Sequence, residues 1–195
     1  MTIRVEPLTG RSLTAALDEL ARLRIRVFRD WPYLYDGDLD YERRYLATYR
    51  ESHGAILVGA FDGERLIGAA TGTPMEDHAE AFGAALAGTG LPLETIFYCA
   101  ESVLLPDHRG HGVGHAFFEH REAHARALGR SHTAFCSVIR PADHPARPET
   151  YRPLDGFWRK RGYAKVPGAV AEFSWKDLGE TDETKKPLQF WMRKL

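Results

Sequence analysis

Cysteine is scarce in this chain: Cys99 and Cys136 are the only two in 195 residues, and no C-x-x-C pair is formed. That excludes a disulfide-stapled scaffold and leaves reduced, buried thiols of a cytoplasmic protein as the expectation. Excess charge is also missing. The 26 Lys and Arg against 27 Asp and Glu give a formal net charge of −1, so no electrostatic footprint for nucleic acid is present. No apolar run is long enough to cross a bilayer, and the N-terminus lacks a signal-peptide pattern, so neither a membrane nor a nucleic-acid partner is expected. What is there is a 44% hydrophobic, 27% charged chain, the balance of a globular protein. At this length residues 1–195 read as a single domain with a sufficient core.

The patterning predicts an alternation of strands and helices. Residues 3–8 read as a strand, and Ser12 or Thr14 caps a helix to about Asp30, with Leu13, Leu17, Leu20, Leu23 and Val27 on one face. A second helix is expected from about Asp40 to Arg50. Residues 55–61 and 65–71 form a hairpin about Asp62-Gly63-Glu64, and a short helix covers 76–86. A strand from Thr95 to Leu105 leads to a long helix ending at Leu128, then a strand over 133–139. Four prolines make 141–153 an ordered loop, a short helix spans 155–161, and strands at 169–175 and 188–194 close the chain. This order predicts an α/β domain with a mixed central sheet of about seven strands flanked by helices.

The most informative stretch is Arg109-Gly110-His111-Gly112-Val113-Gly114, between the 95–105 strand and the long helix. Strand, glycine turn and helix in that order leave free N–H groups at a helix N-terminus, where the dipole favours an anion. His115-Ala116 follows Gly114, so the Lys-Ser/Thr pair of a Walker A loop is missing, and no third glycine completes G-x-G-x-x-G. The spacing that matches is Arg/Gln-x-x-Gly-x-Gly. With that motif, the element order, and the helix-then-Gly-aromatic ending at Asp155 to Tyr163, the chain resembles the GNAT family of N-acyltransferases across essentially its whole length.

The resemblance implies acetyl-CoA as cofactor and an amine, small molecule or peptide, as acceptor, attacking the thioester directly in a ternary complex. A homodimer is compatible with it. Carried over residue by residue, it implies that Ser102, Val103 and Leu104 offer backbone groups to the pantetheine arm. Gly110, His111, Gly112, Val113, Gly114 and His115 would hold the pyrophosphate, with Arg109 setting the loop. A backbone N–H near Leu104 would meet the developing oxyanion.

Glu101 is the candidate general base. It interrupts the apolar run Phe97-Tyr98-Cys99-Ala100, and a carboxylate in such a setting suits proton transfer from an ammonium. The other reading is a Glu paired with an Arg for packing. The position where the family often carries a Tyr acid holds Trp158, whose indole cannot serve, so Tyr151 is the substitute candidate and Tyr98 a second. Trp31, Tyr33 and Tyr35, in an aromatic and acidic stretch, are the candidate acceptor contacts; packing on the core is the alternative. The pairs His111/His115 and His120/His124 have i, i+4 spacing but no H-E-x-x-H and no third ligand, so no metal is expected. Two rival functions follow: a non-catalytic acyl-CoA-binding sensor on the same fold, suggested by Trp158, and, more weakly, a metal-dependent hydrolase.

Overall fold

The computed structural model describes residues 3–195. Its strands are β1 (Ile3–Leu8), β2 (Ile56–Asp62), β3 (Arg65–Pro74), β4 (Ile96–Tyr98), β5 (Ser102–Leu104), β6 (His132–Val138), β7 (Ala164–Trp175) and β8 (Thr184–Lys194). The helices are α1 (Gly10–Phe28), α2 (Leu39–Glu51), α3 (Ala79–Leu86), α4 (Val113–Ala127) and α5 (Asp155–Lys160). The sheet runs β1-β2-β3-β4-β6-β8-β7, with β5 on β3; β4 and β6 are parallel and the other neighbours antiparallel. The mixed α/β architecture is the expected one, and the eighth strand arises because the 95–105 strand is split in two.

The split is a bulge. Thr73 pairs with Tyr98 and Ala70 with Ser102, so three steps along β3 face four along the other chain. No Gly or Pro marks the place, which is why the sequence reads as one strand. Cys99 still donates its N–H to Ala134 O of β6 (2.8 Å), whereas Ala100 N–H goes to Thr71 O (3.0 Å) and Thr71 N–H to Glu101 O (3.0 Å). From there β5 follows β3 alone while β6 continues along β8, and the sheet opens into a V. Arg121 of α4, almost wholly buried, fastens the bulge: its guanidinium donates to Thr71 O (3.1 Å), Glu101 O (3.2 Å) and Ser102 Oγ (2.9 Å).

Smaller departures have local causes. The cap of α1 is Thr9 rather than Ser12 or Thr14; Ser12, one turn in, accepts from Thr9 N–H (3.2 Å). Asp38 caps α2, accepting from the N–H groups of Asp40 (3.0 Å) and Tyr41 (2.9 Å). Strand β7 begins at Ala164, five residues before the expected start, because a break in pairing between Lys165 and Val170 hides its first turn of alternation. The core is one continuous cluster between the sheet and the helices on its two faces.

Candidate active site

The glycine turn is shaped as its composition requires. Gly110 and Gly112 lie at φ +83° and +80°, a region other residues enter only with strain. A Cβ built on either meets no atom within 4 Å, so the space beside the backbone is open. Among the described residues, the N–H groups of Gly110 to Gly114 have no backbone partner outside the helix, and Gly112 is the cap of α4. These are donors gathered at a helix N-terminus beside open space at Gly110 and Gly112. Arg109 ties the turn to β5: its Nε and one terminal nitrogen both donate to Leu104 O (3.3 Å each).

The opened sheet supplies a second surface. Glu101 O and Leu105 N–H bond toward β3, so by alternation the N–H and C=O of Ser102 and Leu104 point the other way, into the V. Val103 shares the β5 edge but is paired toward Ala69. His115 follows the turn; its ring takes a hydrogen bond from Arg161 (3.1 Å) and rests edge-on against Phe157 (4.9 Å between centroids).

On the opposite side of the bulge lies a cavity of about 100 Å³, walled mainly by aromatic rings that include Tyr33, Tyr35, Tyr45, Tyr98, Phe173 and Trp175. Arg24, Glu101 and Cys136 are its other polar lining groups. Glu101 is 6% exposed. Its Oε2 faces an Arg24 terminal nitrogen at 2.9 Å and accepts from the Tyr49 (3.2 Å) and Tyr45 (3.4 Å) hydroxyls. Its Oε1 is buried and has no hydrogen-bond partner. Arg24 also binds Glu42, itself fully buried, through Nε. Burial works against the Arg24 charge, but Glu101, Tyr45 and Glu42 outweigh it and raise its pKa well above the usual arginine value. Glu101 is thus the Arg-paired buried carboxylate of the packing reading, and it also lines the cavity.

The remaining candidates are sorted by position. Tyr33 and Tyr35 line the cavity, whereas Trp31 is not on its wall. Trp31 instead packs on His144 (5.0 Å) and Tyr151 (6.0 Å) of the proline-rich loop. Tyr151 is likewise off the cavity wall, with Arg147 over its ring (5.5 Å). Tyr98 is on it, its hydroxyl 3.4 Å from Cys136 Sγ, and burial raises the Tyr98 pKa well above the ordinary value. Burial also pushes the Cys136 thiol up to about 11. Trp158 packs among Phe135 (4.9 Å) and Trp191 (5.1 Å). The histidines have separate partners: His111 bonds His108 O (3.3 Å) and His124 bonds Gly54 O (3.0 Å). Among the described residues no three His, Cys, Asp or Glu side chains gather as a metal site.

Arg24 and Arg140 were not singled out from the sequence. Arg24 had a readable signal, a charge in the α1 stripe of Leu13, Leu20 and Phe28, all buried. Arg140 had none. It grips Asp177 with both terminal nitrogens (2.6 and 2.9 Å) and donates to Pro32 O (2.9 Å) and Tyr33 O (2.7 Å), holding the cavity wall in place.

A splayed α/β sheet with a donor-rich glycine turn on one side and an acidic aromatic cavity on the other defines an acyltransferase layout. The sequence profile of the Acetyltransferase (GNAT) family matches residues 17–163, and the chain belongs to that family. No curated protein sequence matches it significantly. Among solved structures it is similar to a ribosomal-protein-alanine N-acetyltransferase from Brucella melitensis, at 14% identity and TM-score 0.61 over 100% of both chains. It is also similar to an acetyltransferase from Thermus thermophilus, at 17% identity and TM-score 0.57, covering 100% of this chain and 98% of that one. A third is a Salmonella typhimurium acetyltransferase-type protein solved with its cofactor acetyl-CoA, at 11% identity and TM-score 0.60, covering 100% and 95%. Acetyl-CoA is the cofactor of the family. The residues present fit it: open space beside Gly110 and Gly112, N–H donors of the glycine turn with no backbone partner outside the helix, and a β5 edge that pairs with no strand on its β6 side. Among the described residues no helix is long and apolar enough to cross a membrane.

Proposed function

We propose that the protein is an N-acetyltransferase that moves an acetyl group from acetyl-CoA to an amine by direct attack in a ternary complex. The observation that carries this reading is the position of Glu101. It lines the cavity and immediately precedes β5, where the N–H groups of Ser102 and Leu104 point away from β3 into the V. Acetyl-CoA supplies the activated acetyl thioester. The N–H groups of Gly110 to Gly114 hold its pyrophosphate, and the edge groups of Ser102 and Leu104 align its arm. Leu104 N–H is the donor for the carbonyl oxygen. Glu101 accepts the proton of the acceptor ammonium through Oε1. Tyr98, one of the cavity phenols and kept protonated by burial, donates to the departing sulfur. Residues 1–195 form one domain in this reading, supported by the single continuous core. Cytoplasmic residence is supported by two free cysteines.

The test is release of free thiol from acetyl-CoA with a panel of amines, run with Tyr98→Phe and Tyr151→Phe. Turnover lowered by the first and not the second supports this assignment. The reverse pattern moves the acid to Tyr151. The sensor reading is favoured by Trp158, packed where the family often carries a Tyr. It is the outcome if acetyl-CoA binds and no amine releases thiol.

A further inference from the structure

We infer that the acceptor is a small primary alkylamine with an uncharged, apolar body, and not an amino acid. The inference rests on the acetyltransferase reading of the same site and narrows it to a substrate class. Three observations carry it. Arg24 carries one positive charge and is shared between two buried carboxylates, Glu42 and Glu101, so the triad is negative by one. One oxygen of each carboxylate, Oε1 in both, is buried without a hydrogen-bond partner, and Glu101 is the one that lines the cavity. The rest of the wall is mainly aromatic.

A buried, unpaired carboxylate oxygen is costly, and an ammonium removes that cost by donating to it while restoring local neutrality. The surrounding ring faces favour the same cation. An acceptor with its own carboxylate meets the opposite situation. Arg24 is the only cationic side chain lining the cavity among the described residues, and Glu42 and Glu101 already occupy it. Arg140 and Lys186 lie over the Trp175 ring (5.8 and 5.3 Å), off the cavity lining, and are balanced by Asp177 and Glu180. The space limits the body. The space is about 100 Å³ and open to solvent on one side, so it suits a compact body over a bulky one.

Three probes that share one isoamyl body separate the terms: isoamylamine, leucine, which adds a carboxylate, and isoamyl alcohol, which lacks the cation. Their binding is measured by calorimetry on the protein saturated with coenzyme A, after a thermal melt has established that coenzyme A binds. Isoamylamine is expected to bind at least about tenfold more tightly than either of the others, a difference of about 1.4 kcal/mol. Equal or tighter binding of leucine or of the alcohol overturns the inference, as does a coenzyme A response with no amine response. Failure of coenzyme A itself to shift the melt overturns instead the acetyltransferase reading beneath it. Glu101→Gln should abolish the preference of amine over alcohol. Should that variant not fold, Glu42→Gln neutralises the triad from the other side and should reduce the preference; an undiminished preference in the folded variant counts against the inference.

Discussion

Glu101 meets two demands that oppose one another. A proton acceptor needs a free lone pair, and a buried carboxylate needs a compensating charge. The side chain divides them between its oxygens: Oε2 takes Arg24 and two tyrosine hydroxyls, and Oε1 is buried with no hydrogen-bond partner. Glu101→Gln keeps the shape and removes the basic site. kcat should fall by about 10² to 10⁴ while the coenzyme A melting shift survives, and steady-state kinetics across pH should show the defect shrinking as pH rises and more amine is neutral. Retained activity at all pH values assigns the residue a purely structural role. Gly112 allows a cleaner dissection. A Cβ there meets nothing within 4 Å but must sit at φ +80°. Gly112→Ala should therefore cost stability, about 1–2 kcal/mol from the left-handed backbone, and keep most coenzyme A affinity. Gly112→Asp adds a negative charge beside the free donors and should remove the affinity as well, read by titration calorimetry.

At the scale of elements, one side chain ties three segments together. Arg140 follows β6, holds Pro32 O and Tyr33 O of the loop between α1 and α2, and grips Asp177 in the turn between β7 and β8. A tight backbone bond from Leu178 N–H to Leu34 O (2.7 Å) completes the join. Lysine cannot reproduce this fork. Arg140→Lys should raise KM for the amine and leave coenzyme A binding nearly unchanged, because Tyr33 and Trp175 move and the glycine turn does not. Asp177 also sets a pH limit on the join. Burial alone would raise its pKa, but Arg140 and Lys186 outweigh this and hold it below the ordinary 3.8. A depressed folded pKa contributes stability that is complete above the unfolded value. That contribution is lost as pH falls below 3.8 toward the folded value. Asp177→Asn should therefore be destabilised at neutral pH and show a shallower acid limb, measured by thermal melts followed by circular dichroism.

Across the whole molecule, the V divides the sheet into a β1–β5 part and a β6–β8 part joined chiefly through β4, which pairs with β6 along three residues. A cofactor lying between β5 and β6 binds only the assembled form. At ligand a hundredfold above Kd the gain is about 2.7 kcal/mol, which for a chain of this size is roughly 5–11 °C in Tm. Differential scanning fluorimetry with acetyl-CoA should reach that shift, and NAD should not. Most of this layout was legible in the sequence. The glycine turn is a local signal carried by contiguous residues, and the helix faces repeat every three or four positions. The Arg24–Glu101 pair was not legible, because 77 positions of chain separate partners that only the fold brings together. Arg140 was silent for the same reason: its carbonyl partners have no side-chain signature. The split of the 95–105 strand left no mark because the extra residue there is an ordinary one.

That extra residue gives the strand something like a reading frame. Before it, Phe97 faces His124 of α4 and Tyr98 faces the cavity; after it, Ser102 faces Arg121 of α4. Ala100 and Glu101, side by side in sequence, both line the cavity, which strict alternation would forbid. Deleting a single residue between Tyr98 and Glu101 would keep every chemical group of the site. Strict alternation would return, with Glu101 two positions from Tyr98 and still on the cavity face, and the bulge that separates β4 from β5 would be lost. The chemistry of this protein therefore depends on a count as much as on a composition. A homologue one residue shorter at this point would retain the glycine turn, every aromatic wall and the carboxylate, yet lack the bulge from which the sheet opens.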